Sequence, residues 1–254
     1  MKKTMIKLAA MAAVVAFAGF GQTSCGGGGG AEGEAADIPT DGLLGELPML
    51  TAKYCNKLVD LRNKMFSGQI TEEEMKQARA EFDETQKERD AKFLLIREEL
   101  DGKEIPVEVQ DGVPVKFDGA LKISSKNKGS IFAIGSGTLT KTMTYENFPN
   151  LYMIPIDTDG KAISTSRGGM WYKEDGQTSL GDYNEGKKFV VNAFVSVGST
   201  SARGYCTNEM KRWAKLAKFV CMDCTTDAYK QLKEQLEADK KAEELEAAKA
   251  VAGE

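Results

Sequence analysis

The chain has 254 residues, with 34 Lys and Arg against 38 Asp and Glu, a net charge of −4 and no histidine. The missing histidine excludes Ser-His-Asp and Cys-His catalysis and removes the commonest ligand of zinc, copper and non-haem iron sites. A mildly acidic chain without a basic stripe also lacks the electrostatic footprint of a nucleic-acid binder, so the sequence predicts no nucleic acid, metal or cofactor.

The N-terminus carries Lys2, Lys3 and Lys7 with no acid, and Leu8 to Phe20 follows without a charge. A permanent membrane helix needs about 20 apolar residues. This shorter run reads as a secretory signal peptide over residues 1–24. Next come Gln22-Thr23-Ser24-Cys25 and five glycines. Thr23, Ser24 and Cys25 resemble the lipobox of bacterial lipoproteins, in which an aliphatic residue and two small residues precede the cysteine; Gln22 stands where Leu is usual. The resemblance spans about the first 30 residues, and it implies cleavage before Cys25 and lipidation of Cys25. The mature protein is then expected in a bacterial cell envelope, held to a membrane (the outer one expected) through its N-terminal lipid. Each buried methylene contributes about 0.8 kcal/mol, so more than one acyl chain gives durable anchoring. Residues 25–46 predict a flexible tether, rich in Gly, Ala and Glu, with a mean reach of roughly 25 Å.

Residues 47–102 predict a helical hairpin. Leu47, Leu50, Tyr54, Leu58, Leu61 and Met65 recur at spacings of three and four and make one apolar face. Gly68 supplies a stop, and Thr71 with Glu74 forms a capping box opening the second helix. The face of that helix runs through Met75, Ala78 and Phe82, weakens at Thr85 and Arg89, and recovers at Phe93, Ile96 and Leu100 before Asp101-Gly102. The polar middle predicts that half of this second helix lies in water.

From 103 to 200 the period becomes two, as in Ile105-Val107-Val109 and Val113-Val115-Phe117. Phe189 to Val197 is apolar on both parities and predicts a central strand covered on both faces. Asp-Gly pairs at 111–112, 118–119, 159–160 and 175–176 suit tight turns; the second interrupts an alternating run and also fits a bulge. Short strands at this spacing predict an antiparallel β-sandwich or barrel. Residues 201–254 return to a helical pattern: Met210, Trp213, Leu216, Ala217 and Val220 share one face, and Thr225 and Thr226 cap a last helix. That helix starts with Tyr229, Leu232 and Leu236, then becomes a Lys, Glu and Ala tail expected to be solvated. The predicted class is therefore α+β: a helical hairpin, a central antiparallel β-sandwich and C-terminal helices packed on the hairpin.

Besides Cys25, the cysteines are Cys55, Cys206, Cys221 and Cys224, and an exported chain keeps disulfides. Cys206 and Cys221 flank a predicted helix too long to bridge, so Cys55 is expected to pair with Cys221 or Cys224 and to join the first and last helical segments. Cys221-Met222-Asp223-Cys224 is also a C-x-x-C before a helix start, the arrangement of a redox thiol, although the βαβ context of such enzymes is missing. Asp157-Thr158-Asp159-Gly160 opens like a calcium loop but has Gly168 where Glu belongs, and reads as a hairpin turn. Arg167, Trp171 and Tyr172, beside Gly168 and Gly169, form either an exposed aromatic platform for a protein or glycan partner or one buried strand face. The expected function is a non-enzymatic binding or structural module of the envelope. The alternative is a thiol-disulfide oxidoreductase using Cys221 and Cys224, or a carboxylate-based hydrolase.

Overall fold

The computed structural model describes residues 37–125, 131–144, 150–166, 168–197 and 207–252; the expected leader, Cys25, residues 26–36 of the expected tether, Arg167 and Cys206 lie outside these residues. The tether expected over 25–46 is corrected at its end, because Ile38 and Leu44 are buried in the hydrophobic core. Helix α1 spans Leu47–Phe66 and α2 spans Glu72–Leu100. Both boundaries follow local chemistry. The backbone N–H of Glu74 donates to Thr71 Oγ1 at 3.2 Å, while Thr71 N–H donates to Glu74 Oε2 at 2.7 Å, so two otherwise orphaned amides are satisfied. Gly68 and Gly102 adopt φ of +67° and +81° just beyond the two helix ends.

Strands β1 (Glu104–Ile105), β4 (Leu121–Ser124), β5 (Ile131–Leu139), β8 (Lys188–Val195) and β7 (Gly169–Tyr172) lie side by side in that order, with β3 (Val115–Phe117) also on β5. Every pairing in this sheet is antiparallel. Asp118-Gly119 is a bulge and not a turn. Strands β3 and β4 run along the same edge of β5, with Phe117 opposite Gly137 and Lys122 opposite Ile134, and the extra residues loop out between them. Asp118 N–H donates to Ser136 O at 3.0 Å across the bulge. Gly137 is needed here because a Cβ would strike Phe189 and the Lys116 backbone.

A second sheet contains β2 (Val107–Val109), β9 (Leu216–Asp223) and β6 (Leu151–Asp157), in that order. It corrects two expectations. Residues 216–223 are a strand, not the continuation of a helix; only Thr207–Ala214 is helical (α3). Strand β9 also runs parallel to β2 and antiparallel to β6, so the sheet is mixed. The physical reason is burial on both faces. Phe219 and Cys221 point into the main core, while Val220 and Met222 face a second apolar cluster. A short run apolar on both parities carries no period that separates strand from helix. Pro155 sits on edge strand β6, the position in a sheet where a missing N–H is tolerated.

Helices and both sheets share one main core, in which Leu47 and Tyr54 of α1 and Phe93 of α2 join Ile105, Leu121, Val191, Phe219 and Trp213. The class is α+β with two open sheets. Helix α3 packs on α1, and Asn56 Nδ2 donates to Thr207 Oγ1 at 3.1 Å. Among the described residues, the final helix, α4 (Asp227–Ala252), shares no apolar cluster with α1 and α2. It is capped by Thr226, whose Oγ1 accepts from Tyr229 N–H at 3.4 Å. It lies over the outer face of the second sheet, with Tyr229 and Leu232 against Ile154, Ile156, Ala162 and Met222. Its expected solvated tail is docked as far as Glu243: Leu236 is buried, and Asp239 and Glu243 continue the same stripe as ion-pair partners of the body.

The polar middle of α2 is another correction. Thr85 and Arg89 are 2% and 1% exposed, packed toward α1 instead of facing water. Strand β8 is central in the sheet, as expected, but only one face is covered: Phe189, Val191, Ala193 and Val195 are buried, while Phe194 is 37% exposed. Among the described residues, no helix is long and apolar enough to cross a membrane.

Candidate functional site

The thiols sit where the elements place them, apart from one another. Cys55, on α1, is fully buried; burial pushes its thiol up to about 11, against the opposing pull of Arg89 on α2. Cys221 points into the main core from the middle strand of the second sheet, and burial pushes it up to about 12. Cys224 follows the strand end, half-buried, with Sγ 3.9 Å from Asn150 Oδ1. All three are free, so the expected bridge from Cys55 to Cys221 or Cys224 is not formed. The reason is the strand at 216–223, which carries Cys221 into the sheet and away from the α1–α2 contact. Cys206, the fourth candidate, lies outside the described residues. A nucleophilic thiol needs its thiolate, and Cys221 holds its proton well beyond neutral pH.

The Gly-Gly-Met-Trp-Tyr segment forms β7, paired with β8 so that Trp171 lies opposite Val191. Gly168 has φ of +67°, and a Cβ there would meet the Met153 carbonyl, so the chain enters β7 pressed against β6. Of the two alternatives for this segment, Trp171 takes the buried strand face. It is 5% exposed, with ring centroids 4.9 Å from Phe189 and 6.5 Å from Phe117. Met170 and Tyr172 point to the other face, where Tyr172 Oη donates to Met170 Sδ at 3.2 Å. Met170 is 37% exposed on this outer face, and the Phe194 ring lies 5.1 Å from that of Phe132. The second parity of residues 189–195 was the signal for this surface, and on the sequence it reads equally well as a buried face.

A polar cleft of about 340 Å³ opens between α3, α4 and the turn after β6. Asp157 Oδ1 accepts from the N–H groups of Asp159 and Lys161 at 2.9 and 2.8 Å, and Gly160 takes φ of +80° to close the turn. This is the hairpin turn expected at Asp157–Gly160, with Ile163 N–H donating to Pro155 O at 2.9 Å. Three ion pairs line the cleft: Lys161 to Asp239 at 2.9 Å, Lys215 to Asp159 at 3.1 Å, and Arg212 Nη1 to both oxygens of Glu243 at 2.6 Å. The Asp239 carboxylate holds Lys161 above its ordinary range. Sequence reasoning missed this cleft because its walls come from segments up to 86 residues apart. Among the described residues, no group of three Cys, Asp or Glu side chains is placed to hold a metal. Neither a family model, a curated protein nor a solved structure matches the chain.

Proposed function

We propose that the protein is an exported bacterial lipoprotein, lipidated at Cys25, that serves the cell envelope as a non-enzymatic binding or structural module. In this reading α1 and α2 act as a helical hairpin, and the two sheets form the halves of a sandwich presented on the tether, at the outer membrane. The supporting observation is the outer face of the six-stranded sheet, where Met170 and Phe194 are each 37% exposed beside half-buried Tyr172. A sheet face that keeps methionine and aromatic side chains in water is suited to a protein surface, since Met adapts its shape and aromatics supply large contact area. A glycan is the other outcome to be tested.

Two measurements test this. Mass spectrometry of the mature N-terminus is expected to find acylated Cys25, and an unmodified terminus overturns the anchor. Cross-linking in intact envelopes is expected to join the wild-type chain to a partner and to fail for Phe194→Ser; an unchanged pattern removes the sheet face from the proposal, and a glycan adduct reassigns the partner class. The oxidoreductase alternative requires thiol chemistry that burial of Cys221 opposes. Insulin reduction by the wild type, lost in Cys221→Ser, would reverse that preference.

A further inference from the structure

The outer face of the six-stranded sheet is apolar where a solvated face is ordinarily polar. An antiparallel sheet with one face in water alternates apolar inside with polar outside. The inward parity of β5, β8 and β7 fills the main core. Their outward parity carries Phe132, Ile134, Val190, Phe194, Met170 and Tyr172, on three neighbouring strands. Met170 and Phe194 are exposed, and Ile134, Val190 and Tyr172 are half-buried. The two ends of this face differ. Phe132 stands opposite Phe194 at one end, and Thr138 stands between Lys116 and Lys188 at the other. Between the ends lie two rows, Ile134–Asn192–Met170 and Ser136–Val190–Tyr172. Lys188 meets Glu174 at 3.4 Å with both side chains well exposed, and such a surface pair contributes little.

We propose that this face binds a second copy of the chain, sheet against sheet, about a two-fold axis that crosses the strands between the two middle rows. The inference rests on the reading of this face as a binding surface and names its occupant. A two-fold contact uses one patch twice, so the patch must complement itself. An axis across the strands lays one end of the face on the other. Phe194 then meets the partner subunit's Lys188, and Met170 meets the partner subunit's Tyr172. An ammonium over an aromatic ring and a thioether beside one are both favourable contacts. An axis along the strands stacks the Lys116 and Lys188 end on itself, and like charges set against each other disfavour that arrangement. The spacings of β-structure make the apolar face roughly 20 Å long and roughly 15 Å wide. That is a small patch beside the standard interface of about 800 Å² per partner, so the dimer is weak and exchanges. Anchoring both copies to one membrane raises their effective concentration.

The test places two variants of the full chain in one membrane, Phe194→Cys and Lys188→Cys, each with its own tag, and joins thiols with a short bis-maleimide. Both positions are exposed, so both variants keep the fold. Half-buried Cys224 is common to the two, so each variant alone supplies the background. The mixture is expected to give a dimer carrying both tags. Each variant alone is expected to give only background, because like positions in the dimer lie roughly 20 Å apart. Adding Met170→Asp to both chains is expected to lower the product about tenfold, as loss of one central anchor does. Equal product from the mixture and from either variant alone overturns the proposal, and so does product unchanged by Met170→Asp. If no such dimer forms while the wild type still cross-links to a different protein, and Phe194→Ser loses that adduct, the second copy is overturned and the sheet face stands as a binding surface. Absence of both adducts overturns both.

Discussion

Arg89→Met is expected to make the protein more stable. Arg89 lies in the α1–α2 contact at 1% exposure. Its Nε and Nη2 donate to Asp90 Oδ1 at 2.9 and 2.8 Å, but the Asp90 side chain is 53% exposed, and Nη1 is buried with no hydrogen-bond partner among the described residues. A pair with a half-exposed carboxylate contributes about 0–1 kcal/mol. One orphaned buried donor costs about 1–3 kcal/mol, more when it is charged. Methionine keeps the length of the apolar stem and fills irregular space. The balance is a gain of about 1–2 kcal/mol for Arg89→Met, or a melting temperature raised by about 2–4 °C per kcal/mol at this chain length. Urea unfolding followed by tryptophan fluorescence is the assay, since Trp171 and Trp213 are both buried. The midpoint should rise while the denaturant slope stays constant. The Cys55 thiol supplies a second readout: Arg89 is the one influence pulling it down, so its removal moves the thiol higher still. A loss of about 1 kcal/mol or more in Arg89→Met would refute the reasoning, because it would mean that the buried charge is fully partnered.

Trp171→Ala is expected to cost about 3–5 kcal/mol by the same unfolding assay, whereas an effect below about 0.5 kcal/mol would return Trp171 to the surface. Thr71→Ala removes the N-cap of α2 and is expected to cost about 1 kcal/mol in thermal unfolding. The same cap holds Glu74 below the usual carboxylate range. Its contribution is present above the unfolded value of about 4.3 and is lost as pH falls, so Thr71→Ala should flatten the acid limb of stability against pH. Alkylation of the native chain near pH 8 is expected to modify Cys224 while sparing Cys55 and Cys221, as read by peptide mapping; equal rates at Cys221 and Cys224 would contradict their burial. Cys221 is shifted upward, so the folded state keeps its proton. That contribution is fully present below the unfolded thiol value of about 8.5 and declines as pH rises toward the folded value, and Cys221→Ala should remove this alkaline slope.

Several features were legible before any fold was known, because they depend on a few neighbouring residues. Thr71 and Glu74 cap α2 through bonds within one turn, and Gly68, Gly102 and Gly160 take the positive φ that their positions require. The apolar face of α1 and the α+β class follow from periodicity alone. The candidate site was legible only in part: the turn at Asp157 was, but not its role as one wall of a cleft.

What the sequence by itself determined is local: the ends of α1 and α2, the tight turns and the exclusion of histidine chemistry. Tertiary structure alone decided which surfaces meet. It buried Arg89 against α1, turned Trp171 inward beside Phe189, and laid Leu236, Asp239 and Glu243 of α4 against the body. It also made 216–223 a strand, by pairing Cys221 with Val109 on one side and Met153 on the other. These outcomes rest on partners tens of residues to more than a hundred residues away. A segment that is apolar on both sides, or polar in mid-helix, has no local preference strong enough to choose without them.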